Sequence, residues 1–274
     1  MAERKLLFFD IDNTLWDRDN NIPESTIRAI RKAREKGHLC FICTGRTRGN
    51  VRIQSLFDIG FDGVVCGCGT MVELQKAPDL PLRGDTLGNI PFYYSIPASQ
   101  MADTVTICRK YGLRPILEGR DFLYMDHSDF GDDPYGKKLI RELGPRLKTI
   151  KDEWGRWEAS KLSCASDHAD REACFAALGD RYHFIIHNSA IVEIVPKGFD
   201  KGTGVRKVCE LLGASVSDTV AFGDSVNDLE MLTAAGLGVV MGNGDERAKA
   251  VAGFITRSLF EDGIEYACRE LGLI

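Results

Sequence analysis

The 274-residue sequence lacks several features, and each absence excludes a class of protein. It has no apolar stretch near the roughly 20 residues that a membrane-spanning helix needs. It has no basic surplus: 35 Lys and Arg stand against 40 Asp and Glu, for a net charge of -5. Nucleic-acid binders usually carry a basic patch or stripe, so no nucleic-acid partner is expected. The basic cluster from Arg28 to Lys36 alternates with apolar residues and reads as a solvated helix face. The sequence has no internal repeat, no low-complexity tract and only three tryptophans. The apolar run Leu6–Phe9 is too short for a signal-peptide core, and no small-residue cleavage site follows it. Nine cysteines are present, an odd number and scattered, which does not describe a secreted disulfide framework. Cys66 and Cys68 are too close for an ordinary zinc pair, so buried, reduced thiols are expected. The expectation is a soluble, cytoplasmic protein with no membrane association and no obligatory protein partner in evidence.

With 44% hydrophobic residues, the chain can bury a large core in one domain or two. Leu6–Phe9 reads as a strand buried on both faces. Pro23 can open a helix whose apolar positions Ile27, Ile30 and Ala33 recur at three-residue steps, with Gly37 as its stop. Leu39–Cys43 is a second strand, 48–57 a second helix and Val64–Cys66 a third strand. This rhythm predicts a doubly wound, Rossmann-like parallel sheet. From 83 to 190 the pattern changes. Strands at 92–96, 122–126, 158–165 and 183–186 follow one another with only two helices, 98–111 and 168–178, between them. An antiparallel sheet covered on one face is the expected result. The α/β rhythm then returns, with a helix at 201–212, a strand at 219–222 ending in Gly223-Asp224, and alternating elements to the end. The predicted organisation is an α/β core, residues 1–82 and 191–274, with an α+β domain, residues 83–190, inserted into it.

Ligands of open parallel sheets bind beyond the carboxyl ends of the strands. The first strand ends in Asp10-Ile11-Asp12, the second in Thr44-Gly45-Arg46, and a later one in Gly223-Asp224 with Asn227 and Asp228 behind it. Asp10 and Asp12, two apart on an extended segment, lean to one side and repel unless a cation sits between them. Asp224 and Asp228 add to the charge. A hard divalent cation with oxygen ligands, Mg2+, is the simplest compensation. Thr44 offers a hydroxyl, and Gly45 lets the backbone approach a ligand. Lys197 or Lys201, where the chain re-enters the core, can face a phosphate. Carboxylate nucleophile, second carboxylate, cation, hydroxyl and lysine together form a phosphoryl-transfer inventory working through an aspartyl phosphate. Singly, each segment reads equally well as a turn or a helix cap.

Four ordered motifs resemble those of the haloacid dehalogenase superfamily, in its Cof-type branch with a large α+β (C2-type) cap. They are Asp10-Ile11-Asp12-Asn13-Thr14-Leu15, Thr44-Gly45-Arg46, Pro196 to Gly202, and Gly223 to Asp228. The tail from Gly242-Asn243-Gly244 to Asp262-Gly263-Ile264 is also similar to that branch. The resemblance implies that Asp10 attacks phosphorus and that Asp12 acts as acid and then base. It implies that Thr44, Gly45, Lys201 and Asn227 hold the phosphoryl group, and it prefers Lys201 to Lys197. The metal ligands it implies are Asp10, Asp12 through its backbone carbonyl, Asp224 and Asp228. A cap of this kind would exclude water and select the leaving group. The sequence departs from the branch at Asn13, where many members have glycine, and at Cys68, where many have asparagine.

The implied function is a magnesium-dependent phosphatase for small phosphorylated metabolites such as sugar phosphates. A phosphomutase is the alternative, and a non-catalytic phospho-acceptor module a third reading that leaves the inserted domain unexplained. His183 and His187 are about 13 Å apart along a strand and do not make a metal pair by themselves. Arg120, Trp154, Arg156 and Trp157 are candidate cap residues, equally readable as ordinary surface and core.

Overall fold

The computed structural model describes residues 4–131, 133–187 and 189–274. The chain divides into two compact units. One comprises Met1–Gly45, Arg52–Tyr93 and Asp200–Ile274; the other comprises Arg46–Val51 and Tyr94–Phe199.

The first unit opens with β1 (Leu6–Phe9), α1 (Glu24–Glu35), β2 (Leu39–Cys43), α2 (Gln54–Phe57), β3 (Gly63–Cys66), β4 (Met71–Leu74) and β5 (Asn89–Tyr93). The second contributes α3 (Ala98–Lys110), β6 (Arg114–Glu118), β7 (Leu123–Tyr124), α4 (His127–Phe130), α5 (Pro134–Leu143) and β8 (Leu147–Lys148). It continues with β9 (Lys161–Ala165), α6 (Arg171–Leu178), β10 (Tyr182–Ile186) and β11 (Ile191–Pro196). The first unit resumes with α7 (Lys201–Leu212), β12 (Thr219–Gly223), α8 (Leu229–Ala234), β13 (Leu237–Val240), α9 (Glu246–Lys249), β14 (Phe254–Ile255) and α10 (Gly263–Glu270).

The core sheet runs β14-β13-β12-β1-β2-β3-β4-β5. From β14 to β3 all neighbours are parallel, while β4 and β5 add an antiparallel edge. Pro91 in β5 is tolerated because an edge strand need not donate on its outer side. The chain leaves β1 toward β2 on one side and returns as β12 on the other. Strand order therefore reverses at β1, the place where an open α/β sheet forms its crevice. β1, β2 and β12 are apolar on both faces because helices cover both. On one face Phe8, Phe41, Val65 and Ala221 pack with Val205, Val208 and Met231 of α7 and α8. Phe9 belongs to the opposite face and stacks on Phe222 at 4.6 Å.

The second sheet runs β10-β11-β9-β6-β7-β8, antiparallel except for β7 with β8. Leu117, Leu162, Cys164, Val192 and Ile194 form one face, packed on Met101, Val105 and Cys108 of α3 and on Cys174 and Leu178 of α6. Strand side chains alternate, so Glu118, Lys161, Ser163 and Glu193 share the other face. The α4–α5 segment covers part of that face through Phe130 and Leu139.

The unit boundaries fall at Tyr93/Tyr94 and Phe199/Asp200, against 82/83 and 190/191 from the sequence. β4 and β5 extend the core sheet as a hairpin, and β11 stays in the second sheet beside β9 and β10. The segment expected as a helix at 48–57 is helical only over Gln54–Phe57. Residues 46–51 form a turn belonging to the second unit. The Arg48 guanidinium bonds the Val51 carbonyl at 2.6 Å. The Gly49 N–H donates to the Gly119 carbonyl, and a Cβ at Gly49 would lie 2.8 Å from that oxygen. Of the strand expected at 92–96 only residues 92 and 93 are strand, as the end of β5, and the amphipathic α5 was not read from the sequence at all.

Candidate active site

β1, β2 and β12 are adjacent, and the motif residues follow their ends directly. The Asp10 N–H donates to the Phe222 carbonyl at 2.9 Å, which extends the β1–β12 ladder by one residue and fixes the Asp10 backbone. Thr44 and Gly45 are buried just past β2, and the Thr44 N–H donates to the Val65 carbonyl.

Lys201 is the first residue of α7, and local sequence places it there. The Asp200 carboxylate accepts from the Thr203 N–H at 2.6 Å, while the Asp200 N–H donates to the Thr203 hydroxyl at 2.8 Å. This reciprocal capping box starts the helix. Gly202 and Gly204 let the first turn sit tight: a Cβ at Gly202 would lie 2.3 Å from the Glu230 carbonyl, and one at Gly204 2.4 Å from Val65. The Lys201 ammonium is wholly buried. It bonds Asp10 Oδ1 at 2.5 Å and Asp228 Oδ1 at 2.6 Å, with Asn227 Oδ1 at 3.5 Å. Asp228 Oδ2 accepts from the N–H groups of Asp224 and Ser225 at 3.0 and 3.1 Å. Gly223 makes room for that turn, since a Cβ there would lie 2.7 Å from the Asp228 carboxyl carbon. Lys197, the competing lysine, is exposed and lies in the second unit.

Asp10, Asp224 and Asp228, all buried, each offer a carboxylate oxygen within 4.8 Å of the others. Among the described residues no other group of three or more His, Cys, Asp or Glu is placed to hold a metal. Three carboxylates with one ammonium leave a surplus of two negative charges when all are ionised. Burial, then Asp228, pushes the Asp10 carboxyl well above the usual range, against the pull of Lys201. The same two causes push Asp224 up to about 7, although Lys201 and a hydrogen bond from Asn13 oppose them. Burial disfavours the Lys201 ammonium, but Asp10 and Asp228 outweigh it and hold the group charged. Asp224 Oδ1 is buried and has no hydrogen-bond partner among the described residues. An orphaned carboxylate oxygen in a cluster short of two positive charges fits a hard divalent cation.

Asp12 is half-buried, and its carboxylate is not one of the three. Its Oδ1 accepts from the indole Nε1 of Trp16 at 3.1 Å. Asn13 takes the left-handed conformation, φ 59°, so asparagine performs the turn that glycine makes elsewhere in the branch. Cys68 is likewise left-handed at φ 55° and buried. Sequence reasoning missed two contacts, the Trp16 indole on Asp12 and the Asn13 side chain on Asp224. The spacing Asp12-x-x-x-Trp16 inside a tight turn was the available signal for the first. All nine cysteines are buried free thiols, as expected. His187 bonds Glu193 at 3.1 Å and joins no metal group. Trp157 is a core residue whose indole donates to the Ile150 carbonyl, whereas Trp154 is exposed. Arg120 bonds Asp121 and Glu158, and Arg156 the Asp152 carbonyl. No helix is long and apolar enough to cross a membrane among the described residues.

The haloacid dehalogenase-like hydrolase family profile matches residues 7–267. YkrA of Bacillus subtilis strain 168, which carries a provisional phosphatase name, is 32% identical over 99% of this chain and 99% of its own. The 5-amino-6-(5-phospho-D-ribitylamino)uracil phosphatase YitU of the same strain is 27% identical over 97% of this chain and 96% of its own. The sugar phosphatase BT4131, of subclass IIB of the superfamily, shares the fold with a TM-score of 0.77 at 24% identity, over 98% of this chain and 100% of that one. With four ordered motifs, a doubly wound core carrying an inserted α+β unit, and a profile match over nearly the whole chain, the protein belongs to the haloacid dehalogenase superfamily, in its Cof-type branch, and is a phosphatase.

Proposed function

We propose that the chain hydrolyses small phosphorylated metabolites, sugar or polyol monophosphates above all, in a magnesium-dependent reaction through phospho-Asp10. The observation that carries this reading is the buried Asp10–Asp224–Asp228 group, with its two-charge surplus and the unpartnered Asp224 Oδ1. Asp10, Asp224, Asp228 and the Asp12 carbonyl would hold Mg2+, which supplies positive charge to the transferring phosphoryl oxygens when bound.

The protein's own residues account for the rest of the chemistry. An Asp10 carboxylate oxygen forms a bond to phosphorus as the bond to the leaving alcohol breaks, and Asp12 gives that alcohol its proton. Water then attacks phosphorus, Asp12 takes the proton, and Asp10 is released. Lys201, held by two carboxylates, is a fixed point charge for the phosphoryl group. Thr44, Gly45 and Asn227 complete its surroundings.

The leaving-group class is supported by the name of a relative, while the second unit's own buried charges are paired with one another. That unit's sheet face gathers Glu118 and Glu193 around the buried Lys161 ammonium, at 3.7 and 2.5 Å, and the Ser163 hydroxyl bonds Glu118 at 2.6 Å. The name of YitU specifies a phosphorylated ribityl chain, itself a polyol.

The test is phosphate release from a panel of phosphorylated metabolites, with magnesium and with chelator. It is joined by mass analysis of acid-quenched enzyme for a phosphoryl group on Asp10. Sugar and polyol phosphates should lead the panel, and Asp10→Asn should abolish both signals. Turnover that survives chelation, or survives Asp10→Asn, would refute the mechanism. Interconversion of sugar phosphates without phosphate release would show a mutase.

A further inference from the structure

The parallel strands of the core sheet have two ends, and only one carries the motif residues. Asp10 and Thr44 follow β1 and β2, whereas Arg4, His38 and Asp62 precede β1, β2 and β3. Strands of this length put roughly 15 Å between the two ends. At the N-terminal end lies a cavity of about 580 Å³, with Arg4, Arg31, Arg34 and His38 in its wall. A neighbouring cavity of about 380 Å³ shares Arg4, Leu39 and Asp62 with it. The rest of that second wall is mostly apolar, with Phe41, Leu74, Ala77, Pro78 and Leu212. Small-molecule sites are commonly of this size.

The charges of the first cavity are unevenly cancelled. Asp62 takes a bidentate pair from Arg34, at 2.8 and 3.1 Å, and also accepts from the Cys40 N–H. Arg4 and Arg31 bond carbonyls instead. Arg4 Nε meets the Gly37 oxygen at 3.0 Å, and Arg31 meets those of Asp58 and Ile59 at 2.8 and 3.3 Å. A neutral carbonyl does not cancel the charge of a guanidinium. The other carboxylates of the wall, Glu35 and Asp58, are exposed to solvent, and Asp58 accepts from the Gln54 amide at 2.7 Å. His38 is only 4% exposed. Its Nδ1 accepts from the Lys5 N–H at 3.0 Å, so in the neutral ring Nε2 carries the hydrogen. Burial, then Lys36 and Lys5, push the imidazole below its ordinary value and favour that neutral ring. The Nε2–H is buried and has no acceptor among the described residues. Such orphaned donors are rare, and an acceptor supplied from the cavity would complete this one.

We propose that the two cavities form one binding site, separate from the phosphatase site, for a small organic oxyanion: a phosphoryl or carboxylate group on an apolar body. The oxyanion lies among Arg4, Arg31 and the Nε2–H of His38, and the body extends past Leu39 along Phe41, Leu74 and Leu212. Guanidinium forks match the paired oxygens of either group. Arg34 is the fixed wall between the lobes' shared Asp62 and the turn at Gly60. A Cβ at Gly60 would lie 3.0 Å from Arg34 Nη1, so glycine leaves that side chain its place. None of these residues takes part in the proposed phosphoryl transfer, and the site stands or falls independently of it.

Nuclear magnetic resonance of protein labelled at the histidine and arginine nitrogens reads the site directly, apart from any binding at the phosphatase site. The probes are phenylphosphonate and phenylacetate, which the enzyme cannot hydrolyse. Inorganic phosphate and benzyl alcohol are the controls for charge alone and body alone. At least one probe should shift the Nε2 resonance of His38 and the Nε resonance of Arg31, and the probe that does so identifies the anion as phosphoryl or carboxylate. Each control should bind at least about tenfold more weakly, since it lacks either the ionic or the apolar contacts. Arg31→Gln, followed at His38, should weaken probe binding about tenfold or more, the scale of one charge-assisted hydrogen bond. His38→Asn, whose Oδ1 can still accept from the Lys5 N–H, should do the same, followed at Arg31. In both variants kcat/KM for p-nitrophenyl phosphate should stay within about twofold, because distant sites act independently. No shift at His38 with either probe, or an affinity unchanged in Arg31→Gln, would overturn the proposal. Inorganic phosphate binding as tightly as phenylphosphonate would overturn the role of the apolar lobe, and benzyl alcohol binding as tightly would overturn that of the anion. Arg31 is exposed, so Arg31→Gln decides the matter if His38→Asn folds poorly.

Discussion

The acidic cluster predicts an inverted dependence of stability on pH in metal-free protein. Carboxylates that gain partners on folding usually titrate low, and their stabilisation is lost as pH falls. Asp224 is of the opposite kind: burial and Asp228 raise it from an ordinary 3.8 to about 7, against the pull of Lys201 and Asn13. Between those values the folded chain holds a proton that the unfolded chain has released. The stability contribution of Asp224 is therefore fully present below about pH 4 and is lost as pH rises through 7. At about 1.4 kcal/mol per pKa unit, the full loss is roughly 4 kcal/mol, of which about 2 falls between pH 5.5 and 8. Asp10, raised by burial and Asp228, acts with the same sign. His38, lowered by burial and by Lys36 and Lys5, acts with the opposite sign in part of the window. Urea unfolding in EDTA at pH 5.5, 6.5, 7.5 and 8 measures the slope. Asp224→Asn, which leaves His38 untouched, isolates the contribution of Asp224. Stability should fall with pH in the parent protein and fall less in the variant. Saturating magnesium, if the ionised carboxylates of the folded state hold it as proposed, should offset the loss at high pH. A parent slope that is flat or rising, or that survives intact in Asp224→Asn, would show that the cluster is already neutralised in some other way.

Three substitutions test the supports of the site and of the second sheet. Lys201→Met strands Asp10 and Asp228, and should cost about 3–5 kcal/mol at pH 8 in metal-free protein, less at pH 5.5 where the carboxyls can take protons; equal urea midpoint shifts at the two pH values would contradict this. Gly223→Ala forces a methyl group against Asp228, whose Oδ2 is fixed by two backbone N–H groups. It should destabilise by about 1–3 kcal/mol and weaken magnesium binding by at least roughly tenfold in a calorimetric titration, on the scale of disturbed ligand supports. Lys161→Met removes the ammonium shared by the buried Glu118 and Glu193 and should cost about 3–5 kcal/mol in the second sheet, read as lost hydrogen-exchange protection in β6, β9 and β11.

The core was legible because its strands are buried on both faces and its helices on one. Leu6–Phe9 and Leu39–Cys43 could only be central strands, and the helix expected at 201–212 is α7, capped by Asp200 with Thr203 and ended by the left-handed Gly213. The site was legible for a related reason: strand order reverses at β1, so Asp10 and Asp224 become neighbours whatever lies between them in the chain. The inserted unit was harder to read. Lys161 lies at the centre of its sheet at 1% exposure, a charge where a hydrophobic pattern search expects none. Residues 48–51 read as the start of a helix, but Arg48 turns inward onto the Val51 carbonyl and Gly49 meets the backbone of Gly119, a contact 70 residues away that no local propensity encodes.

The difference also separates residues placed locally from residues placed by tertiary structure. Asp10, Asp12 and Asp224 are placed by their own strands and turns, so a few short motifs suffice to specify them. The Glu118–Lys161–Glu193 group is placed by the pairing of three strands, Glu118 opposite Lys161 and Glu193 opposite Ser163. That register requires the whole sheet, because a slip of one residue would turn these charges into the apolar face packed on α3 and α6. The residues proposed to react are thus fixed locally and can persist while the inserted unit diverges, whereas the buried charges of the second sheet are fixed only by tertiary structure. Trp16 sits between these cases: a local turn places it, but only the observed hydrogen bond shows which oxygen of Asp12 it holds.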